Sequence, residues 1–181
     1  MTCYAFKDGI LAIDRQCTQE GIQLFHTEKW FVLNDRSIVC GSGNLDTVRR
    51  IAAMLAEDTD LDGWKIVEEV FKKDDNTLVH RFHSDGRVEG YCSEGYHPIE
   101  EGLWVVGGDF RFMNGCMAMG ASAVEAVIRA CFFLKGTGFP IDVLDVRTSL
   151  PVENIFDDTG DQRVEDARPY LPLQPLLREK R

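Results

Sequence analysis

Short apolar segments recur in pairs around turn residues, and this pairing constrains the fold more than any other feature of the chain. Residues 2–7 and 10–14 flank a Lys7-Asp8-Gly9 turn, and WFVLN (30–34) and SIVCGSG (37–43) flank the stretch 34–36. TLVHRFHSDGRVEGYC turns at Ser84-Asp85-Gly86. GLWVVGGD adds a strand, and PIDVLDV, with two-residue alternation, is the final strand expected. Between them NLDTVRRIAAMLAED places Leu45, Val48, Ile51, Ala52 and Leu55 on one helical face, with Asn44 as its N-cap. Residues 62–73 predict a shorter amphipathic element. FRFMNGCMAMG and SAVEAVIRACFFL predict two helices broken at Gly120, the second opened by a Ser122–Glu125 capping box. Hairpins interleaved with helices predict an α+β layered protein, paired sheets covered by helices.

A chain of 181 residues, 44% of them apolar, can bury one sizeable core. One domain is expected over residues 1–150. Residues 151–181 differ in texture, with four prolines, an acidic FDDTGD cluster and a basic REKR end. They predict a surface tail or an arm that docks on a neighbouring subunit. The net charge of −10 argues against nucleic acid and anionic membrane as partners, because both select clustered Lys and Arg. No apolar h-region follows MTCYAFKDG, and no apolar run approaches the roughly 20 residues of a membrane-spanning helix. Six scattered cysteines without a C-x-x-C pair predict reduced thiols in a cytoplasmic protein, not a disulfide frame or zinc site.

The remaining motifs carry little chemistry. His80 and His83 lie three apart on a strand and so point to opposite faces, which argues against a shared metal. GSGN, GGD and GTGF lack the complete phosphate-loop patterns and read as tight turns. No G-x-S-x-G elbow is present. The Phe and Met residues of 110–119 and 132–133 predict core packing, and no cofactor or metal is expected.

The opening TCYAFKDGILAID poses a question of register. A three-residue loop at 7–9 pairs Phe6 with Ile10, Tyr4 with Ala12 and Thr2 with Asp14, all on one face. A two-residue Asp-Gly loop shifts the register and separates Thr2 from Asp14. Both are open from sequence. Read from residue types alone, Asp14 and Lys29 are surface charges at strand ends.

TCYAFKDGILAIDRQCT, KWFVLND, CGSGN and GASAVEAVIRA followed by GTGFPIDVLDV together resemble the proteasome β-subunit and HslV-type peptidases, among the N-terminal-nucleophile hydrolases. The likeness extends over residues 2–146, in particular to the short proteasome-like proteins of bacteria and their phages. It implies a four-layer αββα sandwich. It further implies that Thr2, exposed by removal of Met1, is the nucleophile, that Asp14 and Lys29 orient and tune it on one sheet face, and that the Gly41 N–H forms the oxyanion hole, with Cys40 as the alternative. Thr137 matches an auxiliary position. Gly108 stands where the family carries an auxiliary serine, and Leu134 where many relatives carry aspartate.

The implied chemistry is coherent. A threonine hydroxyl needs a base within reach, and a free α-amine with a reference pKa of about 7.7–8.0 supplies one. A nearby Lys ammonium lowers that pKa by like-charge repulsion, and an aspartate holds the ammonium in place. The resemblance therefore implies a threonine-type endopeptidase with a polypeptide substrate, a homo-oligomeric ring and an ATPase unfoldase as partner. Without the auxiliary groups its activity is expected to be weak, and a serine returned at 108 is expected to raise it. The rival expectation is an impaired, ring-forming or protein-binding module.

Overall fold

The hairpins form where the turn residues require them. In the computed structural model, which describes residues 2–19, 22–57, 68–71, 76–100, 104–134 and 136–154, twelve strands form three antiparallel sheets. The first sheet runs β10 (Val105–Gly107), β1 (Tyr4–Lys7), β2 (Ile10–Asp14), β11 (Ile141–Asp145) and β12 (Leu150–Asn154). The second is a ribbon of β3 (Gln16–Gln19) and β4 (Ile22–His26). The third runs β5 (Trp30–Val32), β6 (Ile38–Ser42), β7 (Leu78–Phe82), β8 (Val88–Cys92) and β9 (Gly95–Ile99).

Strand alternation sorts the apolar residues onto different faces. Tyr4, Phe6, Leu11, Ile13 and Leu144 of the first sheet pack with Ile38, Cys40, Phe82 and Val88 of the third. The opposite face of the first sheet, with Ala5, Ala12, Ile141 and Val143, is covered by α2 (Phe110–Ala118) and α3 (Ala123–Phe133). The outer face of the third sheet, with Val39, Val79 and Tyr91, takes Val48, Ile51, Ala52 and Leu55 of α1 (Leu45–Glu57). The starts of α1 and α3 are capped as their sequences predict. Asn44 Oδ1 accepts from the Asp46 N–H at 3.0 Å, and Ser122 with Glu125 completes the capping box. Such a cap stabilises a helix by about 1 kcal/mol. Gly120, at φ +95°, separates α2 from α3.

Two expectations are corrected. The α+β four-layer αββα sandwich gives way to a mostly antiparallel β molecule, because twelve strands in three sheets, the β3–β4 ribbon among them, outweigh the described helices. That ribbon is built from QCTQ and IQLFH, the first with a single apolar residue and the second with its alternation broken by adjacent Leu24 and Phe25. PIDVLDV is also not the final strand, since Leu150–Asn154 returns to pair with β11. Residues 151–154 of the expected tail thus lie in β12, and the rest of the tail falls outside the described residues. Of the amphipathic element expected at 62–73, only a helical turn at 68–71 is described. None of the described helices is long and apolar enough to cross a membrane.

His80 lies against the core between the two large sheets, its Nδ1 sharing a 2.6 Å hydrogen bond with the Tyr4 hydroxyl. Burial lowers the imidazole pKa from 6.5 to about 4. A depressed histidine favours the native state above its unfolded pKa, and that contribution is lost as pH falls towards the folded value. Denaturant unfolding should therefore show a loss of about 2 kcal/mol between about pH 7 and about pH 5. The loss should be largely absent in His80→Gln, which has no titrating ring.

Candidate active site

The first turn sets the geometry of the site. Lys7 pairs with Ile10, leaving Asp8 (φ 54°) and Gly9 (φ 83°) as a two-residue loop with both central residues left-handed. That is the loop whose twist suits a tight hairpin. Tyr4 pairs with Ile13, so Cys3, not Thr2, lies opposite Asp14. The Asp14 N–H donates to the Cys3 carbonyl at 3.0 Å, and the Cys3 N–H donates to Asp14 Oδ1 at 2.7 Å. The expected pairing of Thr2 with Asp14 on one face is therefore corrected: the shorter loop shifts the register by one residue.

Lys29 joins what the register separates. Its ammonium donates to Asp14 Oδ1 at 3.0 Å and to the Gln16 carbonyl at 2.5 Å, and its side chain lines the same cleft of about 580 Å³ as Thr2. Thr2, Asp14 and Lys29 are all buried, at 6%, 0% and 1% exposure, so neither charge is a surface group at a strand end. An unpaired buried ion costs several kcal/mol, which explains why each charge here has the other as its partner. Burial drives the Asp14 carboxyl above its usual range, while the Lys29 ammonium and the Cys3 N–H oppose that rise. Asp14 Oδ2 has no hydrogen-bond partner among the described residues.

The other expected residues divide. Thr137 is buried close by, its Oγ1 3.1 Å from the Cys3 thiol. Leu134 ends α3 and packs on the helix-covered apolar core. Gly41 pairs with Val79 inside the third sheet, where an added Cβ would stand 2.6 Å from the Leu78 carbonyl and 2.8 Å from Val48 Cγ2. Its bare Cα is required by the packing of β7 and α1. Cys40 packs in the core between the sheets. From this strand end the cleft is lined instead by Gly43 and Asn44, together with Leu45, Asp46 and Arg49 of α1. The Asn44 N–H is already engaged by Thr77 Oγ1 at 3.0 Å.

Sequence reasoning missed Cys3, the Gln16 carbonyl, and the cleft contribution of Cys17, Thr18 and Phe25. Cys3 had a signal, its place beside the candidate nucleophile. The Gln16 carbonyl had none, since backbone acceptors leave no trace in residue type. His80 and His83 do point apart, His80 to Tyr4 and His83 to Glu89 at 3.1 Å.

Gly108 has φ +87°, and a Cβ built on it would stand 2.5 Å from the Thr2 carbonyl oxygen and 2.9 Å from the Cys3 sulfur. This corrects the expectation that a serine at 108 would restore an auxiliary group. A non-glycine residue in the left-handed region costs about 1–3 kcal/mol before the overlap is counted. Gly108→Ser should lower the unfolding free energy from denaturant titration by at least that amount, and hydrolysis by the variant should not exceed that of the parent.

No protein-family model matches the sequence, and no curated protein does. Solved structures match the fold. Anbu (ancestral beta-subunit) from Yersinia bercovieri superposes with a TM-score of 0.68 at 12% identity, covering 94% of this chain and 93% of that one. An Anbu (Gly-1) mutant from Hyphomicrobium sp. strain MC1 gives 0.68 at 13% identity, covering 93% and 92%. The Anbu complex of Pseudomonas aeruginosa, solved as a helical assembly, gives 0.65 at 12%, covering 94% and 92%. The resemblance to proteasome β-subunits and HslV-type peptidases is corrected accordingly. These three structures are Anbu, a distinct proteasome-like family, and the short motifs quoted from the sequence do not separate one such family from another. The chain has a proteasome-like, ancestral β-subunit fold.

Proposed function

We propose that this chain is a proteasome-like subunit that hydrolyses peptide bonds through Thr2 once Met1 is removed. One observation carries the reading: a buried Lys29–Asp14 pair held against the residue that follows Thr2, with Lys29 and Thr2 lining one cleft. The freed α-amine takes the hydroxyl proton as Thr2 Oγ attacks the substrate carbonyl carbon. The C–N bond breaks, the proton passes to the leaving amine, and water then hydrolyses the ester. The Lys29 ammonium disfavours a proton on the α-amine by like-charge repulsion, and Asp14 holds Lys29 in place.

A second reading, an impaired module that assembles or binds polypeptide without cleaving it, is favoured by Leu134 and Gly108, which bring no carboxylate or hydroxyl to the site. Hydrolysis of a fluorogenic peptide panel separates the two. Protein shown by intact mass to lack Met1 should hydrolyse at least one member. Thr2→Ala should reduce that rate to background, and Lys29→Ala should lower it by roughly 10²–10⁴-fold. Equal rates in parent and Thr2→Ala would leave the second reading in possession.

Both readings include self-association. Phe110, Met119 and Phe133 at α2 and α3 are 55%, 87% and 68% exposed, an apolar surface that a second copy would cover. The helical assembly of the Pseudomonas aeruginosa Anbu complex is a precedent within the same fold. Sedimentation at micromolar concentration should give species well above the 20.5 kDa of one chain. Phe133→Glu should shift the distribution towards that mass.

A further inference from the structure

Cys3, the residue that follows Thr2, is fixed at three points. Its N–H donates to Asp14 Oδ1, its carbonyl accepts from the Asp14 N–H, and its sulfur lies 3.1 Å from Thr137 Oγ1. On the far side the sulfur packs where a side chain at 108 would stand, 2.9 Å from an added Cβ. Asp14 Oδ1 is the same oxygen that receives the Lys29 ammonium. A displacement of Cys3 therefore moves Thr2 through the chain and Lys29 through the shared oxygen.

We infer that Cys3 and Thr137 form a positioning pair, which fixes the Thr2 main chain against the Lys29–Asp14 pair and fills the space that Gly108 leaves without a side chain. The inference rests on the peptidase reading above. It assigns a role to two groups from distant parts of the chain. Thr137 comes from the segment between α3 and β11, and both residues are buried. The thiol does no covalent chemistry. Burial raises its pKa, against the opposing Thr137 hydrogen bond, so it remains a neutral S–H. Its contribution is shape and one hydrogen bond. Sulfur fills the gap at Gly108, and the Thr137 hydroxyl sets its direction.

The pair should act on turnover and not on substrate affinity, because neither residue lines the cleft. The test uses Met1-free protein and a fluorogenic peptide, with kcat and KM measured separately for Cys3→Ala, Thr137→Val, their double variant, Cys3→Ser and Thr2→Ala. Misplacement of the reacting groups should lower kcat by about 10- to 100-fold in each single variant, with KM unchanged. The double variant should lose no more than the worse single one, since the two groups act as a unit. Cys3→Ser, which keeps a hydrogen-bonding atom, should recover most of the turnover. Cys3→Ala with parental kcat, beside an inactive Thr2→Ala, overturns this inference and leaves the peptidase reading standing. So does a kcat loss that Cys3→Ser fails to rescue although its denaturant midpoint is parental. A parent as slow as Thr2→Ala overturns both.

Discussion

One oxygen atom, Asp14 Oδ1, receives two buried donors, the Lys29 ammonium and the Cys3 N–H. A buried carboxylate is tolerated only with such partners, so the three residues must arrive together or the charge is stranded. That requirement reaches outward. The two-residue loop at Asp8 and Gly9 must hold the register that sets Cys3 against Asp14. Lys29 must return from the end of the β3–β4 ribbon to meet the strand that precedes it. The loop twist and the ribbon geometry are both read out at a single atom.

Much of the architecture was legible because local chemistry and global structure agree. Asn44 caps α1, Ser122 and Glu125 box the start of α3, and Gly86 closes the β7–β8 turn, each as its residue type requires. The layering was not legible in full. QCTQ and IQLFH pair with each other and have little apolar alternation to announce them, and LPVEN carries a proline that argues against a strand. Proline is compatible with β12 because that strand lies at the sheet edge.

The proximity of the candidate residues follows from no single stretch of the sequence. Thr2 and Lys29 share a cleft, and Lys29 bonds Asp14, while of the two loop lengths open from sequence the shorter one forms. An Asp-Gly pair serves both loop lengths, so composition could not decide between them. Gly41 and Gly108 also carry a steric constraint that no motif announces: β7 and α1 press on one, and the Thr2–Cys3 backbone presses on the other. Contacts between segments far apart in sequence leave no local pattern to read.

The left-handed backbone at Gly108 has a consequence for how this chain can change over generations. Any side chain at 108 meets the Thr2 carbonyl and the Cys3 sulfur, and shrinking position 3 removes only the second obstacle. A descendant that gains a side chain there must therefore also rebuild the path of its backbone. Single substitutions at 108 lead downhill from here, so this corner of the molecule works as a ratchet. Variation should accumulate at Leu45, Asp46 and Arg49 on the cleft wall, while positions 3, 14, 29 and 108 move as a block or not at all.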